Sequence, residues 1–320
     1  MIRAGIIGGA GYTAGELIRL LVNHPEVELR WVHSTSNGGN LLTDVHGGLE
    51  GECSLRFSSE YDLNEVDVLF LCSAHGQSSV WMAENTLPEG VKVIDLAQDF
   101  RDEHDGFVYG LAEWQREKVH QATRIANPGC FATAIQLSLL PLAAAGVLQD
   151  EVHITAVTGS TGAGVKPSAT THFSWRASNL SVYKSFTHQH LNEIGRNLRL
   201  LQPSFDKELN FVPMRGDFTR GILASVYTTC PLTEEEAVQL YETYYASAEF
   251  THYTHRAVDL KQVVNTNKAL VHVAKYGTKL HITTAIDNLL KGASGQAVEN
   301  MNRIFGLDPA TGLKLKASAF

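Results

Sequence analysis

Cysteine is scarce in this chain, and its few residues stand apart. Cys53, Cys72, Cys130 and Cys230 form no C-x-x-C pair, so neither a zinc site nor a disulfide framework is suggested. A reducing cytoplasm is the simplest setting. Long apolar runs are missing too, which argues against a membrane span. The N-terminal apolar stretch is broken by glycines, so it does not read as a signal peptide. Positive charge is not in excess. The net charge of −8 argues against a general nucleic-acid binder, although the 14 histidines begin to charge near pH 6. Internal repeats and low-complexity tracts are absent. What remains is an ordinary soluble composition, 44% hydrophobic and 19% charged over 320 residues. That length favours two domains.

The first part alternates short apolar runs with helical spacing. Ile2 to Ile7, Val27 to His33, Val66 to Leu71 and Val91 to Leu96 read as strands, and Thr13 to Val22 as a helix. This rhythm predicts an α/β unit with a parallel sheet, a Rossmann-type dinucleotide domain. The later part reads differently. Val152 to Val157, Ile222 to Thr229, Leu270 to Ala274 and Leu280 to Ile286 suggest a mixed or antiparallel sheet in an α+β domain. Thr233 with Glu236 is a capping box for a helix reaching Tyr245. A final helix is expected over Asn288 to Phe305. The boundary falls beside Cys130.

Gly8-Gly9-Ala10-Gly11-Tyr12-Thr13-Ala14-Gly15 follows the first strand and opens the first helix. In that context it is a dinucleotide fingerprint. Gly8 permits the tight turn, Gly11 lets the backbone approach a pyrophosphate, and Ala14 or Gly15 allows close packing. The second strand ends in His33-Ser34-Thr35-Ser36-Asn37, without the acid that an NAD binder usually places there. Hydroxyls at Ser34 and Ser36 suit a 2′-phosphate, so NADP is expected; both are also ordinary turn residues. His75 follows the third strand, where such sheets present ligand-binding residues.

Cys130 lies in Asn127-Pro128-Gly129-Cys130-Phe131-Ala132-Thr133, just ahead of a helix expected over Thr133 to Ala145. A thiol there feels the positive end of the helix dipole, which favours thiolate. The helix N–H groups also suit an oxyanion. A glycine nucleotide loop plus such a cysteine selects thioester chemistry reduced by a nicotinamide.

That chemistry needs an acid/base. His188 and His190 are candidates; they share a face on a strand but not on a helix. A buried structural pair and a metal site are the other readings of them, and no third ligand has convincing spacing. Arg215 and Arg220 sit in a stretch read as a loop, Phe211 to Gly221, before a strand. Either could hold an anion or simply face solvent. Thr158 to Gly164, with Ser160, reads equally as an anion nest or a mobile turn.

Together these segments resemble the N-acetyl-gamma-glutamyl-phosphate reductase family over nearly the whole length. The motifs run in the family's order: Gly8 to Leu17, Asn127 to Thr133, Gly159 to Gly164, His188 to Ile194, Pro213 to Leu223, and Ala285 to Ala293. The Cys130 segment and Asp287-Asn288-Leu289-Leu290-Lys291-Gly292 are the most specific. The resemblance implies NADPH-dependent reduction of an N-acyl-glutamyl 5-phosphate to the semialdehyde, in arginine biosynthesis. It implies Cys130 as nucleophile and His190 as proton shuttle. His188, Arg220 and Ser160 then bind substrate. Gly8, Gly11, Tyr12, Thr13, Ala14, Ser34, Ser36, His75 and Asn288 serve the cofactor, and no metal is used.

The fold implied is a dinucleotide domain over residues 1–129 with 292–320, and a catalytic, oligomerising domain over 130–291, assembled as a homodimer or homotetramer. The implied partners are a small-molecule substrate, no nucleic acid and no membrane. Phe131-Ala132 and Gln189 depart from the family's common Tyr-Pro and Arg. The Gln189 change bears on which acyl group is recognised. The rivals are an aspartate-semialdehyde or N-acyl-aminoadipyl-phosphate dehydrogenase, and a nucleotide-sensing module without chemistry.

Overall fold

The computed structural model describes residues 1–318; the last two residues of the 292–320 segment lie outside the described residues. The chain forms two compact units. One is Met1–Gly129 with Ala293–Lys314, the other Cys130–Gly292 with the tail from Leu315.

In the first unit seven strands form one parallel sheet. They are β1 (Ile2–Ile7), β2 (Val27–His33), β3 (Phe57–Ser58), β4 (Val68–Leu71), β5 (Lys92–Asp95), β6 (Val108–Tyr109) and β7 (Arg124–Ala126). Their order is β3-β2-β1-β4-β5-β7-β6. β4, Val-Leu-Phe-Leu, is buried throughout, as a strand covered on both faces must be. The order reverses beside β1, the place where such sheets bind ligands. α1 (Tyr12–Leu21) follows β1; α2 (Leu42–Val45), α3 (Gln77–Glu84) and α4 (Ala112–Gln121) come later. Phe100 and Phe107 stack with centroids 4.0 Å apart in a core shared with Ile7, Trp31, Leu69 and Val93.

The Gly295–Ile304 helix packs on α1 and α4. It is not the continuous Asn288 to Phe305 helix expected from spacing. A π-helical turn, Leu290–Ser294, precedes it. The cause is Asp287, whose Oδ1 accepts the N–H groups of Leu289 and Leu290 and so starts a separate turn.

The second unit is built on a mixed sheet. Its strands are β8 (Val152–Thr158), β9 (Ser181–Val182), β10 (Leu209–Arg215), β11 (Ile222–Thr229), β12 (Thr251–Tyr253), β13 (Ala269–Tyr276) and β14 (Lys279–Ile286). They run in the order β12-β13-β14-β11-β8-β10-β9. The helices are α5 (Cys130–Ala144), α6 (Phe173–Arg176), α7 (His190–Leu201) and α8 (Glu234–Tyr245). α5 packs on α7 and on the sheet, and is buried at every position from Phe131 to Ala143. A buried bond from Asn197 Nδ2 to Gln136 Oε1, 2.8 Å, ties α7 to α5.

β10 corrects the reading of Phe211 onward as a loop. Pro213 stands inside this strand. Its carbonyl accepts Tyr183 N–H beside the two-residue edge strand β9. The missing N–H faces that same side, so no bond to β8 is lost.

Candidate functional site

In the first unit the turn after β1 is fixed by contact. Gly8 has φ +82°, and a Cβ there would lie 2.9 Å from the Cys72 carbonyl. Gly11 is the uncapped N-cap of α1, and no acid stands in the first turn of that helix. Open space lies where a Gly11 Cβ would be. An uncapped helix start beside open space suits a pyrophosphate. Gly15 makes room for His46 rather than for a strand, and the His46 ring is bonded to the Gly9 carbonyl at 2.7 Å.

A cleft of about 540 Å³ opens here. Gly8, Gly11, Ser34 and Ser36 line it, together with Trp81 and Glu84. Tyr12 is exposed, Thr13 half-buried and Ala14 buried. Trp81 and Glu84 went unnoticed in the sequence because α3 carries no clear amphipathic stripe. The Asn37 amide donates to both Ser34 and Ser36 hydroxyls. No carboxylate ends β2, so these residues fit a nicotinamide dinucleotide with either a ribose hydroxyl or a 2′-phosphate. His75 Nδ1 accepts Gln98 N–H, and the lining of the cleft passes from Ala74 to Gln77. Cys72 also lines the cleft, but burial, with the nearby Asp95, pushes its thiol pKa up, so it stays protonated.

In the second unit Cys130 is the first residue of α5 itself, not a residue ahead of it. It is half-buried. The neighbouring Phe131 ring meets His188 edge-on, with centroids 5.4 Å apart, and His190 at 6.4 Å. The two imidazoles are 4.6 Å apart. They lie neither on one strand nor within one helix: His190 is the first residue of α7, and His188 Nδ1 accepts the His190 backbone N–H at 3.2 Å. Burial, then the charges of Lys184 and Arg215, pushes the His188 pKa down to about 4. His190 Nε2 lies 4.0 Å from the Glu193 carboxylate.

Tyr183 was missed in the sequence. Its ring is 5.9 Å from the His188 ring, and the Arg215 guanidinium stands 4.5 Å from its centroid. Burial pushes its hydroxyl pKa to about 12; Arg215 opposes this, and Cys130 adds to it. Lys184 Nζ donates to Gln189 Oε1 at 3.1 Å, so a cation reaches the position where the family commonly carries Arg.

Two expectations change. Arg220 directs its fork at the buried Asp287, with Nε–Oδ2 3.0 Å and Nη2–Oδ1 3.1 Å. The N–H groups of Gly159, Ser160, Thr161, Gly162 and Gly164 are spent on backbone carbonyls. The 159–164 turn is therefore a braced turn, not an anion nest, and Ser160 is its half-buried start. Asn288 braces it as well: its Oδ1 accepts Gly221 N–H at 2.7 Å, and its Nδ2 donates to Thr161 Oγ1 at 3.0 Å. Asp287 also accepts Asn265 N–H. Its central position was hidden in a motif that signalled only family. The turn it organises ends at Gly292, where a Cβ would lie 2.9 Å from Cys130 Cβ.

Known proteins share this fold. Residues 3–122 match the semialdehyde dehydrogenase NAD binding domain, and residues 130–288 match the semialdehyde dehydrogenase dimerisation domain. The chain belongs to the semialdehyde dehydrogenase family. An N-acetyl-gamma-glutamyl-phosphate reductase of Bacteroides fragilis is 58% identical, with all of both chains covered. The reductase of the same name from Flavobacterium johnsoniae is 52% identical over the full length of both. Among solved structures, aspartate semialdehyde dehydrogenase II of Vibrio cholerae matches with a TM-score of 0.73 at 16% identity, covering 96% of this chain and 98% of that one. The Candida albicans aspartate semialdehyde dehydrogenase with NADP gives 0.71 at 14%, with 96% and 98% covered. At such identities these structures carry the fold alone. Among the described residues no helix is long and apolar enough to cross a membrane.

Proposed function

We propose that this chain is an N-acetyl-gamma-glutamyl-phosphate reductase. It reduces N-acetyl-glutamyl 5-phosphate to N-acetyl-glutamate 5-semialdehyde with NADPH and releases phosphate, a step of arginine biosynthesis in the cytoplasm. The observation that carries the chemistry is Cys130 at the first turn of a buried helix, with Phe131 packed on the His188–His190 pair. Full-length relatives of that name carry the substrate.

In this reading the first unit holds the cofactor through Gly8, Gly11, Tyr12, Thr13, Ala14, Ser34 and Ser36. The second unit performs the chemistry and forms the oligomer, a homodimer or homotetramer. His190 takes the thiol proton of Cys130. The thiolate attacks the acyl carbon, the carbon–oxygen bond to phosphate breaks, and a thioester forms on Cys130. The carbonyl oxygen gathers negative charge at the N-terminus of α5, where N–H groups and the helix dipole favour it. Bound NADPH supplies the hydride that reduces the acyl carbon to the aldehyde level. The carbon–sulfur bond then breaks, and His190 returns a proton to the departing sulfur. Lys184 and Arg215 offer positive charge to the anionic substrate beside His188. Arg220, Asn288 and the Ser160 turn hold the frame.

The deciding assay is phosphate-dependent NADP reduction with N-acetylglutamate semialdehyde, run against the N-succinyl analogue and aspartate semialdehyde. Turnover should be greatest with the acetylated compound. Preference for aspartate semialdehyde, or for NAD, would overturn the assignment.

A further inference from the structure

The cleft of the first unit poses a problem of charge. Ser34, Thr35 and Ser36 line it beside the glycine turn, and Glu84 adds a carboxylate. Among the described residues that line it there is no Lys or Arg. A 2′-phosphate carries close to two negative charges at neutral pH, and dinucleotide sites that accept one usually supply an Arg. His33 is the one lining side chain that can take a positive charge.

The fold fixes His33 in place. It is the last residue of β2, immediately before Ser34. Its carbonyl accepts the Gly9 N–H at 2.9 Å, which ties it to the glycine turn. Its ring meets the Tyr61 ring edge-on, with centroids 5.0 Å apart. Tyr61 is held in turn: its hydroxyl accepts the Trp81 Nε1–H at 2.9 Å, and its ring packs on Trp31 at 5.3 Å. The imidazole is half-buried, so a charge pair formed there is screened less than one on the open surface.

Burial lowers the His33 pKa, and a bond to the Ser59 backbone opposes that. The titratable groups around it are Tyr61, Cys72 and, on α3, Glu84. Glu60 and Asp62 flank Tyr61 in sequence, and the Asp62 carboxylate is spent on the backbone and side-chain N–H groups of Asn64. At pH 7 and above the ring of the free protein is therefore mainly neutral, and an arriving anion favours its charged form.

We propose that His33 selects NADPH over NADH by holding the 2′-phosphate as an imidazolium, taking one proton from solvent as the cofactor binds. This rests on the NADPH reading above. It makes selectivity depend on pH in a way that an Arg would not. As pH falls from 8.5 to 6.5 NADPH should bind more tightly, while NADH should not change. Near pH 6 the phosphate itself gains a proton, which limits the rise. The rival cation is Arg56, outside the cleft lining, whose Nη1 donates to the Gly39 carbonyl at 2.8 Å.

The test is direct binding of NADPH and NADH to the full chain by fluorescence titration across that pH range. The parent's NADPH-over-NADH affinity ratio should rise by about three- to ten-fold from the alkaline to the acid end, as expected for a charge-assisted hydrogen bond. His33→Gln keeps a donor but cannot charge, so its ratio should be lower and should not rise. If His33→Gln loses its fold, His33→Asn decides instead. Arg56→Gln should keep the rise. Calorimetry of the parent in two buffers of different ionisation enthalpy should show proton uptake with NADPH and none with NADH. A rise that survives loss of the imidazole overturns the proposal. So does an equal loss of NADPH and NADH affinity, which would make the ring a packing group. Either result, with NADPH still preferred, leaves the NADPH reading standing. A parent that binds NADH as tightly at every pH overturns both.

Discussion

His188 Nδ1 accepts the backbone N–H of His190 at 3.2 Å. That single bond separates two histidines that spacing alone leaves equivalent. An imidazole that accepts at Nδ1 is neutral and carries its proton on Nε2. His188 therefore caps the start of α7 and positions His190. Its own ring is a poor proton shuttle while burial, aided by the charges of Lys184 and Arg215, holds its pKa down.

A pH dependence of stability follows. His188 binds a proton at an ordinary pKa near 6.5 when unfolded and near 4 when folded. Above both values it contributes no difference. As pH falls from about 6.5 toward 4, the unfolded chain binds the extra proton, and up to about 3 kcal/mol of stability is lost. His188→Asn keeps an acceptor for His190 N–H but cannot titrate. Urea midpoints at pH 7 and pH 4.5 should fall further in the parent than in this variant. Equal losses would show that His188 does not bury a neutral ring.

Cys130→Ala should lower turnover by at least about 1,000-fold, because no other group forms the thioester. NADPH affinity, read by fluorescence titration, should stay within a few-fold of the parent. Cys130→Ser is a weaker test, since a hydroxyl acylates slowly. Substantial turnover in the alanine variant would end the covalent mechanism.

Gly292 touches the nucleophile from the other side. The Cβ of Gly292→Ala would sit 2.9 Å from Cys130 Cβ, so the sulfur must shift. A displacement of about 1 Å at a reacting atom costs on the order of 100-fold in rate. The expected result is a kcat lower by roughly that factor, with NADPH affinity unchanged. An unaltered kcat would mean that the 287–292 turn does not set the position of Cys130.

Sequence spacing disclosed elements whose stability is local. Ile2–Ile7 and Val27–His33 end where their patterns end, and the Thr233–Glu236 capping box is present. It failed where long-range partners decide. Pro213 sits in a strand because its neighbour β9 is only two residues long. α4, Ala-Glu-Trp-Gln-Arg-Glu-Lys-Val-His-Gln, offers little apolar spacing and is held by packing. In the site, Cys130 and the His pair stood out by type. Tyr183 and Asp287 did not, because their roles come from what the fold brings to them.

Arg220 and Asp287 test whether that fork serves the frame or the substrate. Asp287 is fully buried, and Arg220 is its charged partner. Removing one member of a buried pair typically costs about 3–5 kcal/mol; Arg220 is one-fifth exposed, so the lower end applies. Arg220→Met should lower stability by about 3 kcal/mol in chemical denaturation. A raised KM for the acyl phosphate with unchanged stability would return Arg220 to direct substrate binding.

Pro141 lies inside α5, where it removes one helical N–H and displaces the turn before it. The bond to the Leu137 carbonyl is the one it deletes. Tyr245 replaces it, its hydroxyl donating to that carbonyl at 2.5 Å, and Tyr241 donates to the next carbonyl, Ser138. The two tyrosines are one turn apart on α8, so a single face of that helix repairs the break and fixes α5, which carries Cys130 at its far end. The Leu137 carbonyl is buried, so losing the Tyr245 donor leaves it unsatisfied, while losing Tyr241 removes a buried second bond to the Ser138 carbonyl. Tyr241→Phe and Tyr245→Phe should each destabilise by about 1–3 kcal/mol, whereas Tyr276→Phe, on an exposed ring, should change stability by less than about 0.5 kcal/mol. Thermal and denaturant unfolding of the three variants decides this, and equal small effects would mean that the α5 carbonyls need no outside donor.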